Sequence, residues 1–252
     1  MNIHSKLGPL LPPKCPATNW RRSRALVVSP FVKWGELIQE DARREFDLIF
    51  YSYEELPLTH YQRTKIEPDG FLSFRSEFFG ESIVKIYREL YSKYEVIMIV
   101  NSDVYCEVST INTMFNLGDL YGLDFFQPAH SPNGYISHPH LVRQNILDVR
   151  EVSHIEIVAF ALSKKAIEHV LELGIYSISG WGMDNILFPY IQQKYGLKKS
   201  AVIDCCTIFH LKENESGSMR FSNSLTAAEE MELIAGIVEK LRLNDIPAIL
   251  LE

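Results

Sequence analysis

The chain has 252 residues, 46% of them hydrophobic, and a formal net charge of −7, which is enough apolar material for one large domain with a substantial core. The acidic balance comes without any Lys/Arg run, so the electrostatic footprint of a nucleic-acid or anionic-membrane partner is missing. No apolar run reaches the roughly 18 residues needed to cross a bilayer, and prolines break the start where a signal peptide needs an uninterrupted apolar stretch, so a cytoplasmic protein without a transmembrane segment is expected.

Residues 1–20 carry Pro9, Pro12, Pro13 and Pro16 and read as an extended arm lying on the surface or on a neighbouring subunit. Ala25 to Ser29 reads as a short buried strand, Trp34 to Phe46 has helical spacing, and Asp47 to Tyr53 returns as a strand, giving one β-α-β unit. Residues 54–80 show no sustained period and read as a long connection over the edge of the sheet. Ile83, Ile86, Tyr87, Leu90 and Tyr91 then fall on one face of a helix. That helix leads into Val96–Val100, five apolar residues in a row, which predict a buried parallel strand.

The chain turns polar at Asn101, Ser102 and Asp103, where the carboxyl end of a central strand in an open α/β sheet faces the ligand crevice. A carboxylate there is a hard oxygen ligand suited to Mg²⁺ or Mn²⁺, which makes Asp103 a candidate metal ligand. The bland alternative is that Asn101 and Asp103 only satisfy a turn. Ser109 reads as the N-cap of a helix ending near Gly122, and Leu123 to Gln127 as a further strand. The loop 128–150 contains His130, His138 and His140, but without helical HxxxH spacing or a nearby cysteine the sequence argues against zinc.

Ile155 to Leu162 reads as a strand interrupted by Glu156, a charge that must be paired or face a cleft. Ser163 then caps a helix that Gly174 stops. Gly180, Trp181 and Gly182 permit a tight turn, and Asp184 lands at the start of the next helix, either as a functional carboxylate or as a plain cap. The strand from Ala201 runs on to His210. Lys212 to Asn223 reads as a mobile polar loop, and Thr226 with Glu229 as a capping box for a last helix. The tail Ile246–Leu251 is apolar enough to want a partner surface, so it or the N-terminal arm would make the contact of a homo-oligomer. Four cysteines, at 15, 106, 205 and 206, form no metal or disulfide pattern and read as reduced, buried thiols.

The order of these motifs resembles the GT-A-type nucleotide-sugar glycosyltransferases. It looks closest to a poorly characterised GT-A-like family whose members read DDD, then YGL-x-x-QPA, then V-E-x-x-A-x-x-x-S, then HGWG-x-D, then V-D-x5-H. Here the counterparts are Asn101-Ser102-Asp103, Tyr121-Gly122-Leu123 with Gln127-Pro128-Ala129, Ile155-Glu156 up to Ser163, Gly180-Trp181-Gly182-Met183-Asp184, and Ile203-Asp204 up to His210.

The resemblance implies an α/β, Rossmann-related, mixed and mostly parallel sheet flanked by helices. Its catalytic domain would span 21–211, with 212–252 as a loop and C-terminal helix packing on it. It further implies an enzyme that transfers a sugar from a nucleotide-diphosphate donor to a carbohydrate or other hydroxyl acceptor with the help of a divalent cation. Asp103 and His210 match the metal-binding positions, and Asp184 the carboxylate that contacts sugar or acceptor. Asn101, Ser102, Glu156, Gly180, Trp181 and Gly182 fall in the donor- and substrate-binding motifs. Asn101 departs from the pattern, which has Asp there, and that substitution keeps open the alternative of a non-catalytic sugar-nucleotide or carbohydrate-binding module. The donor sugar and nucleotide, the acceptor and the stereochemical outcome are not encoded in any motif.

Overall fold

The computed structural model describes residues 24–30, 38–52, 66, 68–212 and 216–244. The N-terminal arm, Cys15, residues 34–37 of the expected first helix and the tail Ile246–Leu251 lie outside the described residues.

In chain order the elements are β1 (Ala25–Pro30), β2 (Ile38–Gln39), β3 (Asp47–Ser52), β4 (Gly70–Ser73), α1 (Phe79–Leu90), β5 (Val96–Val100), β6 (Val104–Glu107) and α2 (Val108–Tyr121). There follow β7 (Phe125–His130), β8 (Val149–Glu151), β9 (Ala159–Ser163), α3 (Lys164–Leu173), a π-helical turn (Met183–Leu187), α4 (Phe188–Tyr195), β10 (Ala201–His210) and α5 (Ala227–Asn244). All strands join one mixed sheet in the order β2-β6-β10-β7-β9-β5-β1-β3-β4, with β8 attached to β10.

Helices cover both faces, which is why β5 carries no polar residue. Ile97 and Ile99 enter the core built with α1, α3 and α4, while Val96, Met98 and Val100 enter the core built with α2. Each apolar side chain so buried contributes about 1.5–3 kcal/mol. Helix ends follow local chemistry: the Ser163 hydroxyl accepts from the Ala166 amide at 3.2 Å, and Gly122 and Gly174 close α2 and α3 at φ 58° and 63°. Thr226 and Glu229 exchange backbone-to-side-chain bonds at 2.8 and 3.3 Å, so the capping box is formed. Ile234 and Val238 of α5 are buried in the same core as α1 and α4.

Several expected elements differ. The described part of the segment read as a first helix, 38–46, is not helical: Ile38 and Gln39 pair in parallel with Cys106 and Glu107, and Phe46 packs edge-on against Phe115 at 5.9 Å. The connection after residue 54 contains an edge strand, β4, parallel to β3. Ser109 does not cap α2, which starts one residue earlier; its amide and hydroxyl both donate to Asp41. The Ile155 to Leu162 run is a strand only from Ala159. Strand β7 continues through Pro128 to His130. Because Pro128 has no N–H for the ladder, the partner strand bulges there: Ile203 pairs with Pro128, Thr207 with Ala129, and residues 204–206 lie between. Within that bulge Cys206 is buried but Cys205 is exposed, contrary to the expectation that all the thiols would be buried.

One contact between backbones sets the approach of α1 to the loop behind the π turn. A methyl group on Gly80 would come within 2.3 Å of the Ser177 carbonyl oxygen and 2.4 Å of the Gly180 nitrogen. Gly80→Ala is therefore expected to cost about 3 kcal/mol or more, at or beyond the upper end of ordinary overpacking. Gly196→Ala, where only φ is unfavourable and no atom lies within 4 Å, should cost about 1–2 kcal/mol. Urea unfolding of both variants measures the difference, and equal losses would contradict it.

Candidate active site

Strand direction collects the polar residues at one edge. β5, β7 and β10 run the same way, since β9 lies antiparallel between β5 and β7 and β10 is parallel to β7. Their carboxyl ends therefore share one edge, bringing Asn101–Asp103, His130 and His210 together. Because β9 runs the opposite way, its lead-in, Ile155 to Val158, starts from that same edge: the Asn101 amide donates to the Val158 carbonyl at 2.8 Å.

Asp103 and His210 are neighbours. β6 runs antiparallel to the end of β10, pairing Val104 with His210, and the Leu211 amide donates to the Asp103 carbonyl at 2.8 Å. This places Asp103 Oδ2 3.4 Å from His210 Nε2, with His210 buried at 3% exposure. Asp103 Oδ1 is buried without a hydrogen-bond partner, a costly condition that a ligand bound at the carboxylate would relieve; His210 Nδ1, on the far side of its ring from Asp103, also has none. Asn101 behaves differently. Its side-chain oxygen accepts from the Ser102 amide at 2.7 Å, so it shapes the turn, and of the three only Asp103 meets His210.

His130 and Glu156 extend the cluster. His130 Nε2 lies 3.3 Å from Glu156 Oε2, and the His130 and His210 rings meet edge-on at 6.2 Å. Burial pushes the His130 imidazole below its ordinary pKa, against the pull of the Glu156 charge. Burial therefore works against a charged ring at this contact, and neither His130 Nε2 nor Glu156 Oε2 has a hydrogen-bond partner. Glu156 is held by its own backbone, whose amide donates to Gln127 Oε1 at 2.6 Å. In the sequence His130 carries weight only as a zinc ligand in a loop; because Pro128 marks an early strand end, nothing local shows that β7 runs on to His130.

Asp184 joins from the other side. Its carboxylate accepts from the Asn185 amide at 2.8 Å and, at 3.5 Å, from the Ile157 amide next to Glu156. Removal from water and the nearby Glu156 charge raise it to about 7 despite these donors. Gly180 and Gly182, at φ 96° and 83°, make the turn that delivers it. Buried Glu230 of α5 braces that turn by accepting from the Ile178 and Ser179 amides at 3.0 and 2.9 Å. Trp181 is half-exposed, and a Cβ on Gly217 would come 3.7 Å from its ring, so the segment after β10 passes beside the indole. That segment is not polar chain throughout: Phe221 is buried against Phe78, ring to ring at 5.3 Å, and the Ser222 amide donates to Glu77 at 2.6 Å.

In the loop after β7, His138 and His140 meet His154, with ring centroids 4.6–5.6 Å apart. Among the described residues these are the only three His, Cys, Asp or Glu side chains with ligand atoms all within 4.8 Å of one another. A separate cleft of about 220 Å³, lined by Arg24, Glu95, Gly118 and Asp124, opens at the opposite end of β5.

By sequence, neither a known protein family nor a curated protein matches the chain. By structure, S. aureus TarS residues 1–349, in complex with UDP-GlcNAc, superposes with a TM-score of 0.59 at 12% identity, over 89% of this chain and 68% of that one. A structure of S. aureus TarS gives 0.57 at 12% identity over 89% and 40%. GalNAc-T7 with UDP, GalNAc and Mn²⁺ gives 0.53 at 10% identity over 86% and 47%. The fold is GT-A-like. Thus the chain spans less than half the length of two of these structures, and at such identities the likeness is one of fold. Among the described residues no helix is long and apolar enough to cross a membrane.

The raised Asp184 carboxyl predicts a pH dependence. The folded state holds the proton more tightly than the unfolded state, so between about pH 4 and pH 7 folding takes up a proton and stability falls as pH rises. Asp184→Asn removes this term. Its melting temperature relative to wild type should therefore climb across that window in a pH series, and parallel curves would show that Asp184 titrates normally.

Proposed function

We propose that the chain is a glycosyltransferase of the GT-A type, moving a sugar from a nucleotide-diphosphate donor to a carbohydrate or other hydroxyl acceptor. The supporting observation is an unbroken line of neighbours, Asp103, His210, His130, Glu156 and Asp184, at the carboxyl edge of a GT-A-like sheet. TarS with UDP-GlcNAc and GalNAc-T7 with UDP, GalNAc and Mn²⁺ share this fold. The ordered DDD-like, QPA, GWG-x-D and D-x5-H motifs support assignment to the same poorly characterised GT-A-like family.

Asp103 and His210 fit a divalent cation, Mg²⁺ or Mn²⁺. Their facing atoms are 3.4 Å apart and the Asp103 carboxylate has a second buried oxygen without a partner. Two protein ligands suffice for such an ion, which draws others from water and substrate phosphates. When bound, it would offset the negative charge that develops on the departing diphosphate.

The chain's own groups would do the rest. Asn101 and Ser102 form the donor side of the turn. Gly180 and Gly182 bring backbone close to the sugar, and the Trp181 indole offers it an apolar face. Asp184 would take the proton of the attacking hydroxyl. A carboxyl near pKa 7 is matched to that task at neutral pH, and Glu156, behind it, helps keep its affinity for the proton high.

A second reading, a non-catalytic sugar-nucleotide or carbohydrate-binding module, is favoured by Asn101, whose oxygen is occupied by the Ser102 amide. Nucleotide release separates the two: a transferase slowly hydrolyses UDP-sugars without acceptor, and a binding module does not.

The two carboxylates should fail differently. Asp184→Asn is expected to bind a nucleotide sugar with Mn²⁺ at near wild-type affinity by calorimetry while turnover falls about 10²–10⁴-fold. Asp103→Ala should lose the Mn²⁺-dependent part of donor binding first. Full activity in Asp184→Asn would reduce Asp184 to a turn residue.

A further inference from the structure

We propose that His138, His140 and His154 form a second cation site, independent of Asp103 and His210, that takes a transition-metal ion of the zinc class. One ring nitrogen from each residue lies within 4.8 Å of the other two. Two of the rings flank Pro139, which opens a short 3₁₀ turn, Pro139–Leu141. The third arrives 14 residues later in the chain, after β8.

That convergence is braced from beneath. Arg150, on β8, donates from Nε to buried Asp204 at 2.6 Å, and its other two nitrogens donate to the His140 and Val142 carbonyls. The guanidinium charge is thereby taken up by Asp204, while the turn bearing His138 and His140 is fixed against the strand that leads to His154.

His154 supplies the second, independent observation. Its Nδ1 meets the Ser153 hydroxyl at 2.9 Å, an outer contact of the kind that fixes the ring and tautomer of a metal-binding histidine. Its Nε2 is buried and has no hydrogen-bond partner. A buried nitrogen left without a partner is costly, and a cation shared with the other two rings would satisfy it. His140 Nε2 makes only a long contact, 3.4 Å, to the His154 carbonyl.

The donor set decides the class of ion. Three imidazoles suit zinc, cobalt, nickel or copper, whereas Mg²⁺ and Ca²⁺ want oxygen. The Asp103–His210 pair, with a carboxylate, is the site for a harder ion, so the two would sort their cations by chemistry. Three protein ligands also leave a zinc ion one open position. An ion here would tie the loop after β7 to the segment that carries Glu156, two residues beyond His154.

Cobalt titration of the tag-free, EDTA-treated full chain tests this. Wild type should bind its first equivalent of Co²⁺ with the visible absorption of an imidazole-bound ion, displaced by Zn²⁺ and not by millimolar Mg²⁺. His140→Asn and His154→Asn should each weaken binding by more than about 100-fold, and Ser153→Ala by about 10-fold, the range for a lost outer partner. Asp103→Ala should leave it unchanged. X-ray absorption on the zinc-loaded wild-type chain needs no variant and should show three imidazoles. The proposal is overturned by a first-equivalent shell with fewer than three, by first-equivalent uptake that survives replacement of all three histidines with unchanged affinity and spectrum, or by its loss in Asp103→Ala. None of these outcomes depends on whether the chain transfers sugars.

Discussion

Strand β9 runs against both of its neighbours, and the position of the candidate site follows from that reversal. Were β9 parallel to β5 and β7, its lead-in would start from the far edge, and Glu156 would be a charge with no cleft to face. Because it is antiparallel, the chain enters β9 at the edge where β5, β7 and β10 leave the sheet. Ile157 can then donate to Asp184 and Glu156 can reach His130. The bulge opposite Pro128 is a second adjustment of the same kind, allowing β10 to run on past the proline and deliver His210 beside Asp103.

The other half of the site rests on buried hydrogen bonds rather than strand ends. The turn holding Trp181 and Asp184 has two glycines at positive φ and would expose several amides. Glu230 accepts from two of them, and Asn223 donates to the same carboxylate at 2.7 Å. Hydrogen bonds to a carboxylate contribute about 1.5–3 kcal/mol each, and they add to the burial of Met183 in the core at the same turn. The close meeting of Gly80 with Gly180 fixes the same turn from the side of α1.

Features set by local chemistry were legible in the sequence. The five apolar residues of β5, the polar break after it, the Ser163 cap, the glycine stops at 122 and 174 and the Thr226–Glu229 box all express themselves within a few residues. Features that depend on distant pairing were not. The apolar spacing up to Phe46 matched a helix, but β2 found β6 and Phe46 found Phe115. His130 had no partner visible in its own stretch, because Glu156 and His210 reach it only through the sheet. The histidines at 138 and 140 failed a spacing rule made for helices, since their third member comes from a different segment. Phe221 sat unnoticed in a polar stretch, although it anchors the far end of that stretch on Phe78.

The bracing by Glu230 also bears on the order in which the molecule comes together. Once residue 210 has left the ribosome, every strand of the sheet is available, and Asp103 and His210 can meet. The turn around Trp181 and Asp184, though synthesised earlier, lacks the carboxylate for its amides until twenty further residues have emerged and α5 has docked. A nascent chain would therefore assemble the two sides of its cleft in two stages, with the strand-end side formed first and the turn side waiting on a helix made after it.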